Sequence, residues 1–162
     1  MSIDIDGENP PHDLSAWPDE RLEVIRVVAQ GHAYDAELPE EVRRQWAWLS
    51  VLANRRMSGD GSGGREAHQE FMLRMWVIDT LGPDPEWSPI TLAADTLSAL
   101  SLTPSEARSL ARNWRDLPID EIRKLRRHKN LTAHLERLIS HLQPGPTRDR
   151  LLLWTEVRRL LP

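Results

Sequence analysis

Prolines constrain this chain more than any other feature. The sequence has twelve, and five of them stand near an acidic or capping residue at the head of an apolar segment. A proline lacks the N–H that the first helical turn leaves unpaired anyway, and its fixed φ suits that position, so it starts helices and interrupts them elsewhere. Pro18 precedes Asp19-Glu20, Pro39 precedes Glu40-Glu41, and Pro118 leads into Asp120-Glu121. Carboxylates in a first turn complement the positive end of the helix dipole. Ser88-Pro89 reads as a cap followed by a first helical residue. Thr103-Pro104-Ser105-Glu106 has the T-x-x-E spacing of a capping box, in which hydroxyl and carboxylate each satisfy a backbone N–H.

The segments between these signals repeat their apolar residues every three to four positions, and none alternates convincingly with period two. Leu22, Ile25 and Val28 or Ala29 form a first stripe, which fades at Gly31. Val42, Trp46, Leu49 and Ala53 form a second, broadened by Trp48, Val51 and Leu52 and closed by Arg55-Arg56. A third helix, about Arg65 to Leu81, is apolar around most of its circumference, as a central helix would be. Leu92, Thr96, Leu97 and Leu100 mark a fourth, and Ala107, Leu110, Ala111 and Trp114 a fifth. A sixth carries Ile119, Ile122 and Leu125 and is expected to end near His128, because one more turn would place Lys129 inward. Asn130 then caps a seventh with Leu131, Leu135, Leu138 and Leu142 inside, and a last helix turns Leu153, Val157 and Leu160 inward. The fold class that follows is all-α: a single-domain helical bundle of about seven or eight helices over residues 17–162. Residues 1–16 are acidic, hold Pro10-Pro11 and show no apolar period, which predicts a flexible arm.

The chain of 162 residues has no cysteine, so disulfides, thiolate metal sites and a cysteine nucleophile are excluded. No apolar run approaches the roughly 20 residues that span a bilayer. The opening residues are acidic where a signal peptide is basic, and a cytoplasmic protein is the expectation. Charge is uneven along the chain. Residues 1–102 hold 18 acidic and 8 basic side chains, a net −10, while residues 103–162 hold 7 and 13, a net +6. Either the acidic half neutralises the basic half or the basic half serves an acidic partner or nucleic acid.

The densest charge lies at Arg123, Lys124, Arg126, Arg127 and Lys129, five cations within seven residues. Such a patch binds phosphates or carboxylates in a salt-sensitive way, and its bland reading is a solvated helix end. Seven tryptophans are many for this length. Trp46 and Trp48 stand two apart and cannot share one helix face, so one of them is expected to look outward. Trp87, in a proline-rich connection, is expected to be exposed. Trp48 and Trp87 are therefore candidate partner anchors, since tryptophan combines a large apolar face with one donor.

Catalytic patterns are missing: there is no H-E-x-x-H, no G-x-S-x-G and no phosphate loop with its lysine. Gly59, Gly61 and Gly64 spell G-x-G-x-x-G, but a helix precedes them where a dinucleotide fold needs a strand. His134 and His141 are about 10 Å apart along a helix axis, too far for one metal. The six histidines read as polar-face residues, and no cofactor or metal is expected.

Residues 102–142 resemble the DNA-binding helix-turn-helix of LuxR-type regulators and the last region of sigma factors. The resemblance rests on Leu102-Thr103-Pro104, Glu106, Leu110, Leu117, Glu121-Ile122, Thr132, His134-Leu135 and Leu138. It implies a recognition helix from Leu131 that turns Thr132 and Arg137 to the major groove. The turn departs from the family, since Leu125-Arg126-Arg127-His128 stands where a glycine or small residue is usual. The reading that joins these features is a non-enzymatic helical protein-interaction module, such as an adaptor, an accessory subunit or an immunity or antitoxin-like protein. The alternative is a DNA- or RNA-binding regulator with a degenerate helix-turn-helix at 102–142.

Overall fold

The computed structural model describes residues 18–58 and 64–162. The acidic arm expected over residues 1–16 and most of the glycine-rich connection lie outside the described residues. Within them the protein is all-α, with eight α-helices, one short 3-10 turn and no strand.

Helices α1 (Asp19–Tyr34) and α2 (Glu40–Ser58) form a hairpin. Ser50 Oγ donates to the Arg26 carbonyl and Arg43 Nε to that of Ala33, so later residues of α2 meet earlier ones of α1 and the pair is antiparallel. α1 does not stop at Gly31. Ala33 is wholly buried, and the Arg43 guanidinium satisfies its carbonyl, which holds the last turn together.

Helix α3 (Gly64–Thr80) is central, as its sequence predicts. Phe71, Met75 and Ile78 enter one buried cluster, whereas Leu73, Val77 and Leu81 enter another. The two stripes are offset by two residues, about 200° around a helix of 3.6 residues per turn, so one helix serves two cores from opposite sides. The second cluster is completed by α1, α2 and Trp87. The first is completed by α4 (Pro89–Ala99), α5 (Pro104–Ala111), α6 (Ile119–Leu131), α7 (Leu135–Ile139) and α8 (Pro146–Arg158). The boundary between the cores therefore runs through α3. It does not coincide with the change of charge at residue 102.

Both capping expectations hold. Ser88 accepts from the Thr91 N–H and Thr103 from the Glu106 N–H, and in each the cap N–H donates back to the side chain of that third helical residue. α3 ends on Gly82 at φ +86°, a left-handed position that glycine occupies without a Cβ clash. Asp84 Oδ1 then accepts from the N–H groups of Glu86 and Trp87 at 3.0 and 2.7 Å, shaping the proline-rich connection into α4.

Two helices depart from expectation. α6 runs past His128 to Leu131, because His128 itself is a core residue beside Leu125 and Leu131. Lys129 is only half-buried, and its Nζ reaches the Leu161 carbonyl at 3.0 Å. In α8 the inward stripe is Leu151, Trp154, Val157 and Leu161, while Leu153 and Leu160 are exposed. The largest side chain sets the face: Trp154 is buried against His128, with ring centroids 5.5 Å apart, and it rotates the helix away from the register of its leucines.

Candidate functional site

The cationic cluster lies along α6. Its inward residues Leu125, His128 and Leu131 fix the helix in the core, so Arg123, Arg126 and Asn130 stand outward at i, i+3 and i+7. Lys124 and Arg127 flank them, half-buried. Arg123 meets Asp120 of its own helix at 3.4 Å, with both side chains largely in solvent, a pairing of little energetic weight. Among the described residues, Lys124, Arg126 and Arg127 have no carboxylate within ion-pair distance. The described part of the acidic half thus places no carboxylate in an ion pair with these three cations. Lys129 leaves the group, since its amine is held at the C-terminal end and its own carbonyl accepts from Arg158 Nε.

Arg137 is elsewhere. Its guanidinium pairs with Asp79 at 2.5 Å, and His141 Nε2 meets the other oxygen of that carboxylate at 2.8 Å. Asp79 stands in the last turn of α3, where a helix dipole disfavours an anion and where α3 supplies no cation of its own. Arg137 of α7 brings the missing positive charge, and His141 adds a hydrogen-bond partner.

The expected recognition helix is not formed. After α6 the chain breaks at His134, whose φ of +62° is left-handed, and α7 has only five residues. Leu131, Leu135, Leu138 and Leu142 are buried as their spacing predicts, but they are divided between two helices and their flanks. Thr132, assigned to the groove by the helix-turn-helix resemblance, is wholly buried and donates to the His128 carbonyl at 2.7 Å. With Thr132 inside and Arg137 committed to Asp79, neither residue is presented as that resemblance implies.

The structure unites the two candidate tryptophans. Trp48 on α2 and Trp87 in the α3–α4 connection have ring centroids 5.8 Å apart, tilted by 56°. Trp48 is half-exposed. Trp87 is only 4% exposed, which corrects the expectation of an open side chain. The Asp84 turn folds its indole back onto α2. Trp46, the inward one of its pair, is fully buried against His32. Trp48 and Trp87 line a cleft of about 220 Å³ with Arg44, Gln45, Asp84 and Glu86. Arg44 Nη1 pairs with Asp84 Oδ2 at 3.1 Å, and Nη2 donates to the Leu81 carbonyl. These polar partners are not separable in the sequence, where only the D-P-E-W order hints at an Asx turn.

Three further polar groups escaped sequence reasoning. His128 is fully buried yet satisfied: Nδ1 donates to the Lys124 carbonyl at 2.8 Å and Nε2 accepts from the Leu102 N–H at 3.1 Å. Burial pushes its pKa below the usual imidazole value, and the nearby Arg127 and Lys124 charges act in the same direction. Arg74, 3% exposed, pairs with Asp95 at 2.6 Å and lies 3.7 Å from Glu70, which also receives Arg55. This network joins α2, α3 and α4. His68 and His134 face each other with centroids 5.5 Å apart, in an open cleft with Arg65 and Asn130. Burial, and then the neighbouring His134 and Arg158, depress the His68 pKa. No group of three histidine, aspartate or glutamate side chains with metal-binding geometry occurs among the described residues. No helix among them is long and apolar enough to cross a membrane.

No protein-family model, curated protein or solved structure matches the chain.

Proposed function

We propose that the chain is a non-enzymatic helical interaction module, an adaptor, accessory subunit or immunity or antitoxin-like protein, whose α6 face seats an acidic surface of a protein partner. A cytoplasmic setting is part of this reading. The observation that supports it is the outward row of Arg123 and Arg126, flanked by Lys124 and Arg127, with no ion pair to the described part of the acidic half. Because α6 is anchored by three buried residues, the backbone that carries the row is fixed before any partner arrives. Like-signed charge on a fixed face favours rapid, salt-sensitive encounter with an anionic partner.

The alternative is a nucleic-acid-binding regulator using the same cations through phosphate contacts alone. One experiment serves both. The wild-type protein and Arg123→Ala/Arg126→Ala are titrated with a glutamate-rich peptide and with a DNA duplex at rising salt. The protein-partner reading expects saturable peptide binding that falls at least about fivefold in the double variant, a loss of about 1 kcal/mol. Tight duplex binding with a steep salt slope, lost in the same double variant, supports the regulator instead. Equal behaviour of variant and wild type toward both ligands removes α6 as the site.

A further inference from the structure

The cleft between α2 and the α3–α4 connection has the opposite electrical character, and its occupant follows from an inventory of its charges. Asp84 is fully engaged: Oδ1 accepts two backbone N–H groups and Oδ2 receives Arg44. Arg44 is engaged as well, by Asp84 and by the Leu81 carbonyl. Those two charges cancel within the wall of the cleft. Glu86 remains. It is exposed, lines the same cleft, and among the described residues its carboxylate has no cationic partner. An uncompensated carboxylate therefore stands beside two indole rings.

Indole faces carry negative quadrupole charge and attract cations within about 6 Å of the ring centroid. Trp48 already does so within the chain, since the Arg55 guanidinium lies 5.6 Å from its centroid. Trp87 is held by its ring contact with Trp48 and by the bond from its backbone N–H to Asp84, so the aromatic wall is formed before any ligand arrives. The volume of about 220 Å³ is several times the roughly 30 Å³ share of one water, which admits a long side chain. Residues 18–58 and 64–102 hold 13 acidic and 8 basic side chains, an excess that adds a long-range field of the same sign.

We propose that the Trp48–Trp87 cleft is a docking site for a basic side chain, an arginine of a protein partner, which packs against the side of Trp48 that lines the cleft and pairs with Glu86. The guanidinium is favoured over a lysine ammonium because it is planar, stacks on aromatic faces and forks toward a carboxylate. This site is independent of the α6 face and stands even if that face binds nothing.

The indole N–H resonances of Trp48 and Trp87, assigned by Trp48→Phe and Trp87→Phe variants, report on the cleft. The full chain is titrated with a blocked Gly-Arg-Gly peptide and with the same peptide carrying citrulline, which keeps the shape and removes the charge. Saturable shifts of both resonances with the arginine peptide are expected, at least fivefold weaker with citrulline and at least fivefold weaker in Glu86→Gln. Arg123→Ala/Arg126→Ala is expected to leave the titration unchanged. Glu86 is exposed, so its substitution leaves the fold in place, and unaltered indole positions in the unliganded variant verify this. Equal response to both peptides, unaltered affinity in Glu86→Gln, or no response of either indole overturns the proposal.

Discussion

At the scale of single residues, His128 shows how a polar group becomes core. An imidazole bonded at both nitrogens carries no unsatisfied donor or acceptor and packs like a hydrophobe. Protonation would place a second donor against the Leu102 N–H and a charge beside Arg127 and Lys124. Its pKa is depressed in the folded state, so the unfolded chain binds more protons at mildly acidic pH. Stability is then full above the unfolded value of about 6.5 and falls as pH drops through it toward the folded value. His68, also depressed, contributes with the same sign. Urea unfolding at pH 7.5 and pH 5.5 is expected to show a larger acid loss in the wild type than in His128→Gln. An identical loss in the variant would acquit this imidazole. His128→Ala is expected to lower stability by about 2–4 kcal/mol, from lost packing and an orphaned Leu102 N–H.

At the scale of elements, the helix starts were legible because capping is local. Thr103 and Glu106 close their reciprocal box within four residues, and no distant contact is needed to specify it. Thr103→Ala is expected to lower stability by about 1 kcal/mol, measured as a shift of the denaturation midpoint with unchanged slope. Helix ends and faces were less legible. The end of α6 depends on whether a histidine can be buried, which Lys124 and Leu102 decide. The face of α8 depends on the space beside His128 that accepts Trp154. The tight turn at His134 has no glycine to announce it, and its left-handed backbone divides what the apolar spacing reads as one helix.

At the scale of the whole molecule, α3 ties two cores together. Neither cluster can lose its part of α3 without unwinding the helix that the other uses, so the two are expected to melt as one. Trp46 reports on the cluster of α1 and α2, and Trp154 on the other. Single-tryptophan variants retaining one or the other should give coincident urea transitions, superimposable on the loss of helical circular dichroism. Separated transitions would show that α3 does not couple the two. The arrangement of charge is also a property of the whole. Asp79 crosses to Arg137 and His141, but no described carboxylate of the acidic half pairs with the α6 row, and no count of residues along the chain foretells which cation is taken.

The sequence by itself determined the helical class, the positions of the caps and most of the buried stripes, because these follow from periodicity and from bonds that span three or four residues. It also singled out Trp48, Trp87 and the cations of α6 as unusual. Only the tertiary structure decided that the tryptophans share a cleft 39 positions apart in sequence. It alone decided that Lys129 and Arg137 are spent on internal partners and that, among the described residues, Glu86 and Arg126 have no ion-pair partner. The physical reason is range: capping and periodicity act within a turn or two, whereas pairing of charges and stacking of rings depend on which surfaces the packing of the core brings together.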